Sequence, residues 1–258
     1  MRPPSELFDL AGRVALITGS GRGIGRALAL ALAAAGADCA VHDETGSDEV
    51  QALAIEIRAL GRRAEVFAAD LARREEADGL VGRVGATFGR LDILVLNASS
   101  ETRRAWNAVD ERAFDREVAV NLRSTLSLVS GAQPGMAAQG WGRILLLGSI
   151  QSARPNPQLA VYAALKAASV NLARNLASEF GHDGITVNVL SPGAIETDRN
   201  AAVLSDPTYR AGIEARIPAG RIGTPDDCVG AALLLCSDAG RYISGVELFV
   251  DGGWHASR

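Results

Sequence analysis

The alternation of short apolar runs with longer helical segments limits the folds open to this chain more than any other feature of its sequence. Seven runs rich in Val, Ile and Leu predict strands at 13–18, 38–42, 64–69, 91–96, 142–148, 185–190 and 246–250. The intervening segments have helical periodicity and predict helices over 23–35, 47–60, 73–88, 110–139, 158–180 and 225–237. Apolar strands separated by helices indicate a parallel sheet covered on both faces. We therefore expect a doubly wound α/β fold with a parallel sheet of about seven strands.

The interval 193–222 interrupts this alternation. It is longer than the usual connections in such folds, and it mixes helical fragments with Pro207, Pro218 and Gly220. Long excursions at a sheet edge often cover a site, so we expect a substrate lid over 193–222. A surface insertion without function is the alternative. No Pro/Gly/Ser-rich linker, repeat or low-complexity segment divides the chain, which predicts a single domain over 1–258.

Composition and charge favour a globular protein that acts on small molecules. Hydrophobic residues make up 48% and charged residues 22% of the chain, which excludes a disordered or fibrous protein. The net charge of −4 argues against nucleic acid or an anionic membrane as the main partner. No secretory signal precedes the first strand and no apolar run is long enough to span a bilayer, so we expect a cytoplasmic protein.

The cysteines and histidines give no sign of a metal site or of disulfides. The three cysteines lie in apolar stretches without CxxC pairing, and the three histidines are far apart in the sequence. We expect buried reduced thiols, structural or surface histidines, and no bound metal. These residues are Cys39, Cys228, Cys236, His42, His182 and His255.

A glycine-rich turn follows the first predicted strand. It reads TGSGRGIG over 18–25 and leads into the first predicted helix. Backbone amides and the helix N-terminus can face a pyrophosphate there, with no Cβ to hold it away. The spacing is T-G-x-x-x-G-x-G and not the strict G-x-G-x-x-G fingerprint. Its place in a βαβ unit predicts a dinucleotide-binding site.

The chain resembles the short-chain dehydrogenase/reductase family, whose glycine motif has this spacing. In that family a catalytic serine follows the fifth strand, a tyrosine lies thirteen residues later and a lysine four beyond it; Ser149, Tyr162 and Lys166 meet both spacings. Asn121, in AVNL, matches the helix asparagine of the family. RIGTP at 221–225 and DGG at 251–253 match further signatures, and the resemblance covers about 7–255. It implies a Rossmann-type domain with Asn121, Ser149, Tyr162 and Lys166 as the catalytic set.

The same resemblance implies a set of cofactor-binding positions. Asp70 and Leu71 match the acidic position that meets the adenine ring, and the loop after the sixth strand matches the family pattern from Pro192. Lys166 is implied to hold the ribose, and Asn121 a water molecule in the proton relay. The expected cofactor-binding residues are Gly19, Arg22, Gly23, Ile24, Gly25, Asp43, Asp70, Leu71, Asn97, Ala98, Tyr162, Lys166, Pro192, Gly193, Ile195 and Thr197.

One motif departs from the family pattern. Where the family reads N-N-A-G after the fourth strand, this chain has LNAS over 96–99, so the first asparagine and the glycine are replaced. We expect a local change in the packing of the strand end or in the approach to the nicotinamide ribose. Loss of catalysis does not follow from it.

The spacing of Tyr162 and Lys166 predicts acid–base chemistry independently of the family. Residues four apart on a helix share one face, so the ammonium can act on the phenol. Lowering the phenol pKa by about three units takes roughly 4 kcal/mol, and a positive charge about 4 Å away supplies roughly that amount at an effective dielectric constant of 20. Tyr162 can then exchange a proton with a substrate oxygen while a nicotinamide cofactor carries the hydride. Ser149, at a strand end, can orient the same oxygen.

The substrate is less evident in the sequence. We expect Gln151 to face it beside Ser149 and Tyr162, because its amide suits a hydroxyl or carbonyl group. We favour a dehydrogenase for a sugar, polyol or hydroxy acid. The alternatives are a 3-oxoacyl thioester reductase, a non-catalytic dinucleotide-binding sensor, and an epimerase or dehydratase. Six arginines either clamp a carboxylate or phosphate or are solvated surface residues: Arg103, Arg104, Arg154, Arg199, Arg210 and Arg216.

Asp43 predicts NAD as the cofactor, with NADP as the alternative. It follows the second predicted strand, where a carboxylate can accept hydrogen bonds from both ribose hydroxyls and would repel a 2′-phosphate. Arg22 in the glycine turn is the argument for NADP.

The family resemblance further implies a homotetramer in which the helices at 110–139 and 158–180 pair across subunits. The second of these helices carries many small apolar residues, which permit close packing between helices. They could equally face their own sheet. These residues are Ala160, Ala163, Ala164, Ala167, Ala168 and Ala173.

Overall fold

All seven predicted strands are present in one sheet. The computed structural model describes residues 2–257. The strands are β1 (Val14–Ile17), β2 (Asp38–Asp43), β3 (Ala64–Ala68), β4 (Ile93–Leu96), β5 (Gly142–Leu147), β6 (Ile185–Pro192) and β7 (Glu247–Val250). Every adjacent pair is parallel, in the order β3-β2-β1-β4-β5-β6-β7. The prediction of a doubly wound parallel sheet is confirmed, and each strand end lies within two residues of its predicted position.

The helices run between the strands, as the periodicity predicts. They are α1 (Pro4–Leu7), α2 (Gly23–Ala34), α3 (Asp48–Ala59), α4 (Arg74–Phe88), α5 (Glu111–Val118), α6 (Ser124–Gln139), α7 (Ala160–Phe180), α8 (Asp198–Leu204), α9 (Pro207–Glu214) and α10 (Val229–Cys236). The single helix predicted over 110–139 is divided, because a π-helical segment, Ala119–Arg123, separates α5 from α6. The segment predicted as a lid contains α8 and α9.

The two faces of the sheet are buried against different helices. Along β1, Ala15 and Ile17 pack into the core beneath α2, α3 and α10. Val14 and Leu16 point to the opposite face and pack into the core formed with α4, α6 and α7. Because successive strand residues face opposite sides of a sheet, the wholly apolar VALI run of β1 requires helices on both sides.

The cysteines and the helix lengths of this fold bear on two of the sequence-based predictions. Cys39, Cys228 and Cys236 are buried and unpaired, and burial raises the pKa of each thiol to about 12. The prediction of buried thiols is confirmed. Across residues 2–257, the helices are too short or too polar to traverse a bilayer.

Candidate active site

A cleft of about 2140 Å³ opens along the carboxyl ends of the strands. It lies where the strand order reverses, between β1 and β4, which is where open α/β sheets bind their ligands. Its volume exceeds the roughly 300–1,000 Å³ of common ligand pockets and leaves room for a dinucleotide together with a substrate. Every cofactor-binding residue predicted from the sequence lines it, as do Ser149 and Gln151.

The glycine turn brings backbone groups close together at the start of α2. Gly19 has φ +62°, and a Cβ at Gly25 would overlap both Asn97 Nδ2 and Gly19 O. The first turn of α2 has no hydrogen bond from a side-chain cap. Its amides are therefore available to an anion, and the positive end of the helix faces the cleft. These features fit the pyrophosphate of a dinucleotide.

His42 supports this turn from beneath, a role that the sequence did not indicate. Gly19 N donates to His42 Nδ1 at 3.2 Å, and His42 Nε2 lies 3.1 Å from Ala69 O. Burial lowers the pKa of His42 to about 4, so the ring is neutral near pH 7. Because Nδ1 accepts a hydrogen bond, the proton is on Nε2 and is donated to Ala69 O.

Asp43 ends β2 beside the glycine turn. A Cβ at Gly21 would lie 3.6 Å from Asp43 Oδ2. The carboxylate accepts hydrogen bonds from the backbone of Thr45, Gly46 and Ser47 and from the Ser47 hydroxyl. Burial alone would raise the pKa of Asp43, but these hydrogen bonds outweigh it and hold the pKa below its ordinary value. The site therefore presents a fixed negative charge where β2 meets the cleft.

Asp70 is linked to Glu44, the residue after β2, by an arginine that sequence reasoning missed. Arg116 Nη2 lies 2.8 Å from Glu44 Oε2, and Arg116 Nη1 lies 3.5 Å from Asp70 Oδ2. All three residues line the cleft. No local pattern marks Arg116, because its partners are separated from it by more than forty residues.

The LNAS segment, which differs from the family pattern, still anchors the end of β4 to the glycine turn. Leu96 packs into the core. Asn97 Nδ2 donates to Thr18 O at 2.9 Å and to Gly19 O at 2.8 Å, while Thr18 Oγ1 accepts from the backbone of Asn97 and Ala98. Ser99 Oγ accepts a 2.8 Å hydrogen bond from Arg199 Nη1. The glycine replacement thus gives the loop a contact with α8.

The predicted Ser-Tyr-Lys set is brought together at the end of β5. Ser149 begins a short 3-10 turn directly after the strand, and its Oγ accepts from Gln151 N at 3.2 Å. Tyr162 and Lys166 lie one turn apart on α7, and both are buried. Lys166 Nζ donates to Leu147 O at 2.6 Å and lies 5.3 Å from the centroid of the Tyr162 ring.

The electrostatics of this set differ from the sequence-based expectation. Burial raises the pKa of Tyr162 to about 12, although the Arg199 charge and the Ser149 hydroxyl act to lower it. Burial also lowers the pKa of Lys166 to about 7. The expected lowering of the phenol pKa by the ammonium is not found in the protein alone, because desolvation of a fully buried phenol outweighs a lysine that is itself half neutral at pH 7.

Asn121 lies behind the cleft and does not line it. Its Nδ2 donates to Ser100 O at 2.8 Å and to Glu117 O at 2.9 Å, and its Oδ1 accepts from Ser100 N at 3.3 Å. The π-helical segment carries it, a local widening of the helix that is frequent at functional sites. The side chain thereby fixes the loop that follows β4.

The six arginines considered as clamps divide into two groups. Arg104 pairs with Asp110, and Arg210 with Glu196 and Glu214, and neither lines the cleft. The other four line it. Of these, Arg103 lies 3.5 Å from Glu101, whereas the rest have no carboxylate within 4 Å among residues 2–257. These three are Arg154, Arg199 and Arg216.

The sequence indicated Gln151 and the 193–222 segment as parts of the site but not every residue that lines the cleft. Gln151 accepts from Asn156 N at 2.7 Å, which fixes the loop that precedes α7. Trp254 and Ser257 reach the cleft from the segment after β7, together with Tyr209 of α9. Trp254 and Ser257 could not be found by periodicity or spacing, since only the folded chain brings this segment to the cleft.

Comparison with known proteins agrees with this geometry. A family model described as enoyl-(acyl carrier protein) reductase matches residues 19–255. The 2-dehydro-3-deoxy-D-gluconate 5-dehydrogenase of Pseudoalteromonas atlantica is 37% identical over 249 residues, which cover 96% of this chain and 98% of that protein.

Solved structures are equally similar. A gluconate 5-dehydrogenase from Burkholderia cenocepacia, crystallised in complex with NADP and tartrate, has a TM-score of 0.94 at 35% identity and covers 99% of this chain and 100% of its own. A short-chain type dehydrogenase/reductase from Mycobacterium marinum has a TM-score of 0.89 at 33% identity, covering 96% and 98%. The glycine turn, the Ser-Tyr-Lys set and these matches together show that the chain belongs to the short-chain dehydrogenase/reductase family of NAD(P)-dependent oxidoreductases.

Proposed function

We propose that this protein interconverts a secondary alcohol and a ketone on a sugar, polyol or hydroxy acid, with NAD(P) as the hydride carrier. The observation that carries the proposal is the convergence of Ser149, Tyr162 and Lys166 at the end of β5, inside a cleft that also holds the glycine turn. A protein that only binds a dinucleotide needs the turn but not the three side chains.

Each side chain has a role that its position supports. The Tyr162 phenol, protonated in the buried site, donates a proton to the substrate oxygen in reduction, and its phenolate accepts the alcohol proton in oxidation. Ser149 hydrogen-bonds and orients the same oxygen. Lys166, fixed by Leu147 O, supplies a cation near the phenol. Asn121 positions the loop after β4 through Ser100. The nicotinamide, when bound, supplies or removes the hydride.

The cofactor-binding half of the site is proposed from the same geometry. The glycine turn and the first turn of α2 receive the pyrophosphate, Asp43 the ribose hydroxyls, and Asp70 and Leu71 the adenine. Residues that reach the nicotinamide end come from β4 and from the loop after β6. They are Asn97, Ala98, Pro192, Gly193, Ile195 and Thr197.

The lining of the cleft supports a polar substrate. Gln151, Asn156 and Arg199 lie near the catalytic end and offer amide and guanidinium groups to hydroxyl, carbonyl or carboxylate oxygens. The named relatives from Pseudoalteromonas and Burkholderia act on sugar acids according to their names. A 3-oxoacyl thioester is the second candidate substrate, favoured by the acyl carrier protein in the description of the matched family model.

The test is a panel of aldonates, polyols, sterols and 3-oxoacyl thioesters with both cofactors, followed by nicotinamide absorbance. We expect turnover on a sugar, polyol or hydroxy acid. Turnover confined to thioesters would select the second candidate. Substrate conversion without net nicotinamide change would indicate an epimerase or dehydratase.

We propose that NAD is the preferred cofactor, because Asp43 holds a negative charge at the end of β2. Asp43→Ala or Asp43→Arg is expected to move the ratio of kcat/KM values toward NADP by about tenfold or more, since each 1.36 kcal/mol of repulsion removed is a factor of ten. The measurement is steady-state kinetics with both cofactors. Higher kcat/KM with NADP(H) in the wild type would show that Arg22, which also lines the cleft, outweighs Asp43.

We also propose a single cytoplasmic domain over 1–258, with 193–222 as the substrate lid, assembled as a homotetramer. The seven strands share one sheet, and α8 and α9 contribute residues to the cleft. Three buried free thiols suit a reducing compartment. The small residues of α7 support subunit contact, because Ala160, Ala164 and Ala167 form an exposed stripe.

A further inference from the structure

Arg199 is a cation of the proposed lid whose side chain reaches the loop on the other side of the cleft. It lies on α8, yet Nη1 donates to Ser99 Oγ at 2.8 Å and Nη2 donates to Ser99 O at 3.1 Å. These contacts join the loop after β4 to the lid, one hundred residues further along the chain. The Ser99 hydroxyl exists because serine replaces the glycine expected at this position, so the departure in the LNAS segment creates one of the two hydrogen bonds.

The guanidinium keeps unused binding capacity. A guanidinium has five N–H donors, and Ser99 takes two of them. No carboxylate lies within 4 Å of Arg199 among the residues that the structure describes. Arg103 and Arg116 line the same cleft but are paired with acidic residues. Arg199 is therefore fixed in place, remains exposed to the cleft, and can donate hydrogen bonds to further oxygen atoms.

The charge of Arg199 acts on the reacting groups. Burial has the largest influence on the pKa values of both Tyr162 and Lys166, and the Arg199 charge is the next, lowering both. Arg199, Tyr162 and Lys166 all line the cleft, so the guanidinium and the proposed proton donor face the same substrate space. Glu101 acts on both groups in the opposite direction, but it is paired with Arg103 at 3.5 Å.

We propose that Arg199, held by Ser99, binds the carboxylate of a hydroxy-acid or aldonate substrate and so selects acids over uncharged polyols. This inference rests on the proposed alcohol–ketone activity and narrows its substrate class. The free donors of a guanidinium match a carboxylate in bidentate geometry. The Ser99 contacts restrict the side chain before substrate arrives, so less rotamer freedom is lost on binding.

The test compares an aldonate with an uncharged polyol of the same length, D-gluconate and D-glucitol. Arg199→Met is expected to raise KM for gluconate about tenfold or more, as for a lost charge-assisted hydrogen bond, and to change KM for glucitol by less than about twofold. Ser99→Gly should have a smaller effect in the same direction. Arg210→Met is the matched control, because this lid arginine is already paired with Glu196 and Glu214.

A second readout separates binding from electrostatics. Removing the Arg199 charge raises the pKa of Tyr162, so the pH profile of kcat should move to higher pH equally for both substrates. An equal increase in KM for gluconate and glucitol in Arg199→Met, or an equal effect of Arg210→Met, would overturn the proposal.

Calorimetric titration of gluconate keeps the inference testable if no panel substrate is turned over. In that case the proposed function fails, while gluconate binding that is present in the wild type and lost in Arg199→Met supports the carboxylate site. Absence of binding to the wild type, or binding unchanged by Arg199→Met, overturns it. Turnover of uncharged polyols without any preference for acids overturns the carboxylate site and leaves the proposed function intact.

Discussion

Burial governs the ionisation of the side chains proposed to be catalytic. Tyr162 and Lys166 are shifted in opposite directions, toward a neutral phenol and a partly neutral amine, because a buried site disfavours both charged forms. A neutral phenol is already prepared to donate a proton to a carbonyl. In oxidation the Tyr162 phenolate must accept the substrate proton. The phenolate forms only where nearby cationic charge has lowered the pKa of the phenol.

Replacing Tyr162 by phenylalanine tests its role as the proton donor. Tyr162→Phe keeps the packing of the ring and removes only the oxygen that transfers the proton. We expect kcat to fall by at least about 10²-fold, the usual contribution of a general acid–base group, with cofactor affinity nearly unchanged. Stopped-flow kinetics and a cofactor fluorescence titration measure the two quantities. A variant that keeps more than about a tenth of the wild-type rate would falsify the assignment.

His42 gives the protein a defined response to acid. Its folded pKa of about 4 lies below its ordinary value of 6.5, so its stabilising contribution is fully present above pH 6.5 and is lost as the pH falls toward 4. The loss amounts to roughly 3 kcal/mol, at 1.36 kcal/mol for each of the about 2.5 pKa units. Protonation also removes the acceptor for Gly19 N.

Substitution of His42 isolates this effect from other acid-sensitive groups. His42→Asn cannot titrate, so its free energy of unfolding should fall less steeply than that of the wild type between pH 6.5 and pH 4. Urea unfolding at several pH values in this window measures the difference. Parallel pH dependence in the two proteins would show that His42 is not the titrating group.

At the scale of elements, the start of α2 depends on a close approach to the end of β4. A Cβ at Gly25 would overlap Asn97 Nδ2 and Gly19 O. Gly19 O is one of the two carbonyls to which the Asn97 side chain donates. Gly21 lies in the same turn, but the atoms nearest to its Cβ position are at 3.5 Å or more. Two glycines of one motif therefore have different tolerance for a methyl group.

Alanine substitutions at these two glycines test the difference. Gly25→Ala is expected to destabilise the protein by about 1–3 kcal/mol, as overpacking does, and to weaken cofactor binding. Gly21→Ala should leave the melting temperature nearly unchanged, since its Cβ meets only ordinary van der Waals contacts. Thermal unfolding of the cofactor-free proteins compares them. Equal destabilisation by both changes would refute the packing argument.

The divided helix over 111–139 also shows what element-level patterns can predict. Apolar periodicity correctly predicted the extent of the helical segment but not the π-helical segment at Ala119–Arg123. That segment carries Asn121, whose side chain donates to Ser100 O in the loop after β4. A pattern within one segment carries no information about a partner twenty-one residues away.

At the scale of the whole molecule, α7 presents two different faces. Ala163 and Ala173 are buried, while Ala160, Ala164 and Ala167 are exposed. The alanines therefore divide: two face the interior of their own chain, and three are available for contact with another helix. The exposed stripe permits close approach of a second helix.

Light scattering of the purified protein tests the homotetramer. We expect a species of four times the 26.9 kDa chain mass at micromolar concentration. Ala164→Arg should shift the population toward smaller species, because a long charged side chain prevents close helix packing. Ala86→Arg on the exposed side of α4 is the matched control. A wild type that scatters only as a 26.9 kDa species would refute the assembly.

The sequence by itself determined the succession of strands and helices along the chain, the glycine turn and the spacing of Ser149, Tyr162 and Lys166. Apolar periodicity and residue spacing are short-range properties, so they can be interpreted without a fold. The tertiary structure decided the pKa of Tyr162, the neutral state of His42 and the contact between Ser99 and Arg199. These depend on desolvation and on hydrogen bonds between segments up to one hundred residues apart, which exist only after the chain has folded.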